Sequence, residues 1–382
     1  MREVLLRVAF IISHTPLYGA NQSLLGMIEG LKKYGIKSHV LAPGKGPITE
    51  RLIQKEIPYA VFPYKRWMSR NRWKAPARLG VNIAILPFLI KQLRNWQIEL
   101  IYSNNSVIPV GAFLAELLSL PHVWHIREFG DIGLNLSYDW GKRFFSMWMK
   151  RANARIAVSE AVRDHVLRGS ERYCHVIHNG IISEKELEEL INGKYLKKTD
   201  KKSSYTFAIV GRLQPAKGQE QAIQAIYKLS QNGHKARLLI AGEGQSDYLQ
   251  FLQQLSQSLA VNDKLSFLGH VSKPFEIYTS VDAILMCSAH EAFGRVTMEA
   301  MAAGKPVIGL SSGATPELIE HEANGLLYDG TIEGLTDCMQ KCLTAPDKSR
   351  MMGANGRDKV QQGYTNEIYA GKIYNVLQNI MF

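Results

Sequence analysis

Short runs of Val, Ile and Leu alternate with longer segments of helical period, and the alternation starts twice along the chain. Successive strands separated by helices can pair in parallel only through a crossover, which lays helices on both faces of an open sheet. In the first half the strand candidates are Val4–Ser13, Ser38–Ala42, Tyr59–Pro63, Leu100–Ser103, His122–Ile126 and Arg155–Val158. Helical stretches lie between them near Ala20–Tyr34, Ile48–Lys55, Leu79–Trp96, Val107–Leu118, Tyr138–Arg151 and Glu160–Leu167. The second half restarts with strand Tyr205–Val210, helix Gln219–Gln231 and strand Ala236–Ile240. It continues through helix Tyr248–Leu259, strand Leu265–Leu268, helix Phe275–Ser280, strand Ala283–Met286, helix Arg295–Ala303 and strand Val307–Gly309. The expected fold class is α/β, with two Rossmann-like parallel-sheet domains.

A chain of 382 residues exceeds what one hydrophobic core fills, which agrees with two domains. The first is expected over residues 1–180 and the second over 204–364. Between them residues 181–203, lysine-rich around Lys197–Lys202, read as a linker. Residues 365–382 read as a last helix, with Ile368, Ile373, Val376, Leu377 and Ile380 apolar. With 46% hydrophobic and 21% charged residues, the composition excludes a disordered chain. The four cysteines, Cys174, Cys287, Cys338 and Cys342, have no metal-ligand spacing and fit a reducing cytosol. Arg7 interrupts the apolar start, which reads as a strand rather than a signal peptide. The longest apolar stretch, Val81–Ile90, is far short of the roughly 18–20 residues that cross a bilayer.

The net charge of +12 is unevenly placed. Residues 1–180 carry 25 Lys+Arg against 12 Asp+Glu, while the rest carries 21 against 22. No acidic residue occurs between Glu56 and Glu99, and that interval holds Lys65, Arg66, Trp67, Arg70, Arg72, Trp73 and Lys74.

Two segments of the second half carry recognisable chemistry. Gly211-Arg212-Leu213-Gln214-Pro215-Ala216-Lys217-Gly218 follows a strand and opens a helix, so backbone N–H groups, two cations and the positive end of a helix can converge on phosphate. It is neither a Walker loop nor a Gly-x-Gly-x-x-Gly site, and taken alone it reads better as a solvated turn carrying two surface cations. Glu291-Ala292-Phe293-Gly294-Arg295-Val296-Thr297-Met298-Glu299 puts one carboxylate on a loop and another one turn inside the next helix. Paired carboxylates with close glycine backbone suit a polyhydroxylated ligand, while spacing alone favours Glu299 as an exposed helix residue and Phe293 as ordinary core.

Taken together, these motifs resemble those of the retaining family 4 glycosyltransferases of GT-B fold, two Rossmann-like domains facing across a cleft. The Glu-x7-Glu motif enclosing Phe293-Gly294 is preceded by Phe267-Leu268-Gly269-His270-Val271 and followed by Ala300-Met301-Ala302-Ala303-Gly304-Lys305-Pro306-Val307-Ile308. Gly211-Arg212-Leu213 with Lys217-Gly218, Ala241-Gly242-Glu243-Gly244, Val158-Ser159-Glu160, Ile177-His178-Asn179-Gly180 and Asn324-Gly325-Leu326-Leu327 complete the set, in family order over roughly Ser159 to Tyr328.

The resemblance implies a nucleoside diphosphate sugar donor, UDP- or GDP-linked, and a reaction that retains anomeric configuration. It places the donor's diphosphate on Arg212 and Lys217, the ribose hydroxyls on Glu299 and the base near Gly269–Val271. Glu291 would contact the donor sugar, with Phe293, Gly294 and Val296 beside sugar and phosphate. His125 matches the family's cleft histidine beside the reacting sugar, so His125 and Glu291 are the implied catalytic pair. Gly19 and Ala20 stand where the family often has two glycines pointed at the diphosphate; Ala20 departs from that, since a second glycine would permit positive φ. No cofactor and no metal are implied, and the chain has no Asp-x-Asp pair to hold a divalent ion.

The acceptor half matches less closely. Arg66, Trp67, Arg70, Arg72, Trp73 and Arg127 are candidates for an acceptor or an anionic membrane surface, and the cluster fits a solvated acceptor loop equally well. Membrane-associated members of the family reach lipid-linked acceptors through such a basic, aromatic domain, so the acceptor is expected to be a glycan or a lipid-linked precursor of a surface polysaccharide, lipopolysaccharide or glycolipid. The expected location is cytoplasmic, extending to the inner face of the membrane where the cluster meets lipid. Nucleic-acid binding would explain the charge but has no module here and leaves the second half unused. A GT-B nucleotide-sugar epimerase and a non-catalytic sugar-nucleotide sensor share the fold; turnover separates them from a transferase.

Overall fold

Strands that are buried on both faces must be apolar at every position, and Val8 to Ile12, Leu100 to Tyr102 and Ala283 to Leu285 meet that demand, all nearly inaccessible to solvent. The computed structural model describes residues 5–132, 136–168, 174–195 and 204–381. The lysine-rich run Lys197–Lys202 lies outside the described residues.

The chain divides into two units, residues 1–180 with 366–382, and residues 181–365. In the first unit the strands are β1 (Arg7–Ile11), β2 (Lys37–Ala42), β3 (Tyr59–Val61), β4 (Met68–Ser69), β5 (Leu100–Ser103), β6 (His122–Ile126), β7 (Ser137–Tyr138), β8 (Ala154–Ala157) and β9 (Cys174–Val176). Seven of them form one parallel sheet in the order β3-β2-β1-β5-β6-β8-β9, and β4 pairs antiparallel with β7. The second unit contains β10 (Tyr205–Val210), β11 (Ala236–Ala241), β12 (Leu265–Gly269), β13 (Ala283–Met286), β14 (Val307–Leu310) and β15 (Gly325–Tyr328). Its parallel order is β12-β11-β10-β13-β14-β15. Both sheets reverse direction of growth once, between β1 and β5 and between β10 and β13. Ligands of doubly wound sheets sit beyond the carboxyl ends of the strands at that reversal.

Among the strands, β9, β15 and the β4–β7 pair escaped the sequence pattern. All are sheet edges or two-residue pairings, too short for periodicity to register.

The segment read as a linker is not one at its start. Ser183 caps the helix Glu184–Ile191, its hydroxyl accepting from the Glu186 N–H while the Glu186 carboxylate accepts from the Ser183 N–H. This capping box fixes the start of the helix, on which Leu187 and Leu190 are buried. Tyr195 then stacks on Phe275, ring centroids 5.9 Å apart, and its carbonyl accepts a hydrogen bond from the Thr279 hydroxyl.

The last helix, Asn366–Met381, belongs to the first unit and packs on the helix Gly19–Leu31. Glycines permit that approach: a Cβ on Gly26 would lie 2.5 Å from Asn366 Oδ1, and one on Gly30 would lie 2.5 Å from Ala370 Cβ. Ile373, Val376 and Leu377 then join Leu24, Met27 and Ile28 in the core.

Candidate active site

In the second unit, β10 ends at Gly211 and the chain turns through Pro215–Lys217 into the helix Gln219–Gln231. Gly218 makes the turn with φ 72°, and a side chain there would stand 2.7 Å from the Cys287 carbonyl oxygen. Only glycine fits both the torsion and the space, so this residue seats the turn against the end of β13. The seating brings Lys217 to the loop after β13: its ammonium donates to Glu291 Oε2 at 2.8 Å and to the Ser288 hydroxyl at 3.3 Å. Arg212 is exposed, and its carbonyl accepts from the Gln219 side chain.

The Glu291 loop is fixed from the next strand, since the Ala314 N–H donates to the Glu291 carbonyl at 2.9 Å. Gly294, at φ 95°, caps the helix Arg295–Ala302, Phe293 is buried and Val296 half-buried. Glu299 is buried rather than presented on a surface face. Its Oε1 is 2.6 Å from the Arg295 Nε, and its Oε2 accepts from the Tyr278 hydroxyl at 2.8 Å. Burial first, then the Glu299 charge, hold the Tyr278 phenol well above its usual range, so it remains a donor. The Arg295 guanidinium also donates to the Ile181 carbonyl. Gly269 and Val271 close the end of β12, Gly269 exposed with φ 64°. Arg295 and Tyr278 were not foreseen; the spacing of Arg295 and Glu299, one helical turn apart, was the available signal.

In the first unit the expected site residues separate into two groups. His125 lies in β6 with no solvent exposure; its Nδ1 shares a hydrogen bond with the Tyr102 hydroxyl at 2.7 Å, and its buried Nε2 has no partner. Burial first, then the neighbouring Arg127 charge, hold the imidazole well below its ordinary range, so it is neutral. Gly19 opens the helix Gly19–Leu31 and Ala20 continues it. Neither residue has positive φ, so the alanine imposes no strain.

Two candidates for an acceptor or membrane surface point inward instead. Arg127 is buried, donating to Asn104 Oδ1, Asn179 Oδ1 and the Tyr369 hydroxyl, which makes it a strut between strand ends and the last helix. Trp67 is buried too, stacked on Trp124 with centroids 5.4 Å apart, and its indole N–H donates to the Ser106 carbonyl. An indole has one large apolar face to bury, and here the core takes it. Arg66, Arg70, Arg72 and Trp73 are exposed. The segment that carries them is pinned at both ends. Asn82 bonds both backbone groups of Lys65, and Arg78 holds Ser69 and the Asp139 carboxylate.

Two family models match the chain: Glycosyltransferase Family 4 over residues 18–185 and Glycosyl transferases group 1 over residues 193–359. An uncharacterized glycosyltransferase of Methanocaldococcus jannaschii is 31% identical over 379 residues, 93% of each chain. A capsular polysaccharide biosynthesis glycosyltransferase of Staphylococcus aureus is 25% identical over 90% of each. Among solved structures, Anabaena HepE in complex with UDP superposes with a TM-score of 0.80 at 21% identity, covering 98% of this chain and 100% of that one. With its two parallel sheets, its glycine turn facing a Lys217–Glu291 pair, and a relative this similar over nearly its whole length, the chain belongs to the group 1, family 4 glycosyltransferases of GT-B fold.

Proposed function

We propose that this glycosyltransferase moves a sugar from a nucleoside diphosphate donor, held by the second unit, to a hydroxyl acceptor held by the first, with retention of configuration. The observation that carries the donor assignment is the convergence of Lys217, Ser288 and Glu291 beyond the ends of β10 and β13, where that sheet reverses, with Arg212 exposed on the same turn as Lys217. Departure of the diphosphate builds negative charge on its oxygens, and two cations beside helix N-termini are the groups that stabilise it. Lys217 already faces a carboxylate, so an incoming phosphate oxygen and a sugar hydroxyl can divide the pair between them, anion to Lys217 and hydroxyl to Glu291. Glu299, held by Arg295 and Tyr278, keeps lone pairs free for ribose hydroxyls. The neutral His125, with Nε2 unpartnered, suits the reacting sugar's hydroxyls. The related Staphylococcus aureus protein serves capsular polysaccharide synthesis, which supports a surface-glycan product. A turnover screen with UDP-, GDP- and ADP-sugars tests the reading: one donor is consumed, and Arg212→Ala or Glu299→Ala abolishes transfer in a folded protein. Wild-type turnover in either folded variant would overturn it.

The acceptor side carries a surface suited to anionic lipid. On the helix Ala75–Asn95 one face, Ala75, Asn82, Leu89 and Leu93, is buried, while Ala77, Gly80, Ile83, Ala84, Pro87 and Phe88 form an exposed apolar stripe. Trp73, 78% exposed, and the cations Arg70, Arg72, Lys74 and Lys91 border it, in a stretch without a single acid. Among the described residues no helix is long and apolar enough to cross a membrane, so contact here would be a helix lying in the interface. Flotation with phosphatidylglycerol-containing vesicles at low salt should carry the protein, and Phe88→Glu should release it; no flotation of the wild type contradicts this placement.

A further inference from the structure

The polar groups at the reversal point of the first sheet form one connected cluster that the donor chemistry does not use. The loop after β5 is fixed from below by two indoles: Trp124 Nε1 donates to the Asn105 carbonyl and Trp67 Nε1 to the Ser106 carbonyl. The loop after β1 is fixed by Asn21, fully buried, whose amide donates to the His14 and Pro16 carbonyls. So held, Asn105 Nδ2 donates to the Ser13 hydroxyl at 2.6 Å, and that hydroxyl meets His14 Nδ1 at 2.9 Å. A hydroxyl that accepts from an amide still has its own proton to give, and in the tautomer where Ser13 donates to Nδ1, His14 carries its hydrogen on Nε2. Burial first and the Arg66 charge second lower the His14 pKa to about 4, so the ring is neutral. Three buried atoms of the cluster are left without partners: His14 Nε2, a donor in that tautomer, Asn105 Oδ1 on a side chain only 4% exposed, and Asn21 Oδ1.

A buried polar atom without a partner is costly, and a native fold retains one where a ligand or water completes it. Beside these atoms, Tyr18 lies against the His14 ring, centroids 5.6 Å apart and planes 30° from parallel, with 53% of its surface exposed. On the other side Glu128 accepts from the Ser106 N–H and hydroxyl. An aromatic face, a neutral donor, a neutral acceptor and a carboxyl are the groups that recognise a sugar ring, apolar on its faces and hydroxylated at its edge.

We propose that this cluster is the acceptor subsite, and that the acceptor presents a carbohydrate ring: the ring lies on Tyr18, and vicinal hydroxyls bond to His14 Nε2, Asn105 Oδ1 and the Glu128 carboxyl. It rests on the assignment of the acceptor to the first unit. The lipid of a lipid-linked acceptor would lie elsewhere, and the subsite reads the sugar.

Saturation-transfer NMR with octyl glucoside, galactoside, mannoside and N-acetylglucosaminide tests it on the full-length protein, with titrations of UDP and GDP run alongside. At least one glycoside should bind the wild type. Asn105→Leu should weaken that binding about tenfold, the cost of one well-made hydrogen bond at a buried site. Tyr18→Ala, at a position 53% exposed, should weaken it as well, and nucleotide affinity should stay within twofold in both. Nucleotide binding without any glycoside binding, or glycoside binding untouched by Tyr18→Ala, overturns the subsite while leaving the donor reading intact. Failure of the wild type to bind either nucleotide strikes the donor reading instead.

Discussion

The polar ends of the two sheets are built from opposite materials. Beyond β10 and β13 the groups are charged and partly open to solvent, with Arg212 exposed and Lys217 paired to Glu291 on a glycine-seated turn. Beyond β1, β5 and β6 they are mostly neutral and largely buried: His125, Asn105 and Ser13 are buried and the neutral His14 is half-buried. A diphosphate carries full charge and repays cations that remain partly hydrated until it binds. A sugar hydroxyl carries none, and neutral donors and acceptors in a dry setting discriminate among hydroxyls without the desolvation cost of an ion. The same strand-end architecture thus suits two chemistries, and side-chain charge and burial separate them.

That contrast can be broken experimentally. Lys217→Ala removes the cation facing the leaving group and should lower kcat by about 10²–10³, comparable to losing one preformed donor to a developing anion; single-turnover kinetics would show it, and a change confined to the acceptor KM would reverse the roles of the two units. Gly30→Leu forces a side chain into Ala370, only 2.5 Å from the Cβ position, and should cost about 1–3 kcal/mol of stability, read from the denaturant midpoint of the first unit. Tyr102→Phe deprives His125 Nδ1 of its partner at a loss of about 1 kcal/mol, so kcat should fall about fivefold while donor KM stays put; an equal change in KM would mean that Tyr102 merely supports the core.

The smallest effect concerns Glu128. Burial raises its pKa from 4.5 to about 7, against the opposing pull of the Ser106 bonds and the Arg127 and Arg66 charges. A raised carboxyl pKa favours the folded state below pH 4.5, and the contribution is lost as pH rises toward 7. Glu128→Gln removes that loss, so its Tm should exceed the wild type's by a few degrees at pH 8 and by less at pH 5. An identical difference at both pH values would show that the carboxyl is not desolvated.

How legible each unit was follows from where its residues sit in the chain. Arg212 and Lys217 lie on one turn, and Glu291, Phe293, Gly294 and Glu299 lie on one loop and helix, so each motif fits a single window of sequence and the order of such windows carries the family resemblance. His14, Asn105 and Glu128 are delivered by the ends of three strands, and no window of sequence contains them together. Trp67 shows the opposite failure: among five neighbouring cations it reads as a surface residue, yet an indole buries a large apolar area, and its alternation within β4's approach turns it onto Trp124. Arg127 was misplaced for a similar reason, because three buried carbonyl and hydroxyl partners far apart in sequence neutralise the cost of burying its charge. The linker was overextended because the Ser183–Glu186 capping box, a local and readable signal, was outweighed by the charge around it.

The central claim is that the charged strand ends of the second unit bind the donor diphosphate, and titration calorimetry of UDP and GDP against the wild type and Lys217→Ala tests it most directly. The account predicts that at least one nucleotide binds the wild type and that Lys217→Ala weakens it at least tenfold without a change in thermal stability. Equal affinity in the two proteins would contradict it.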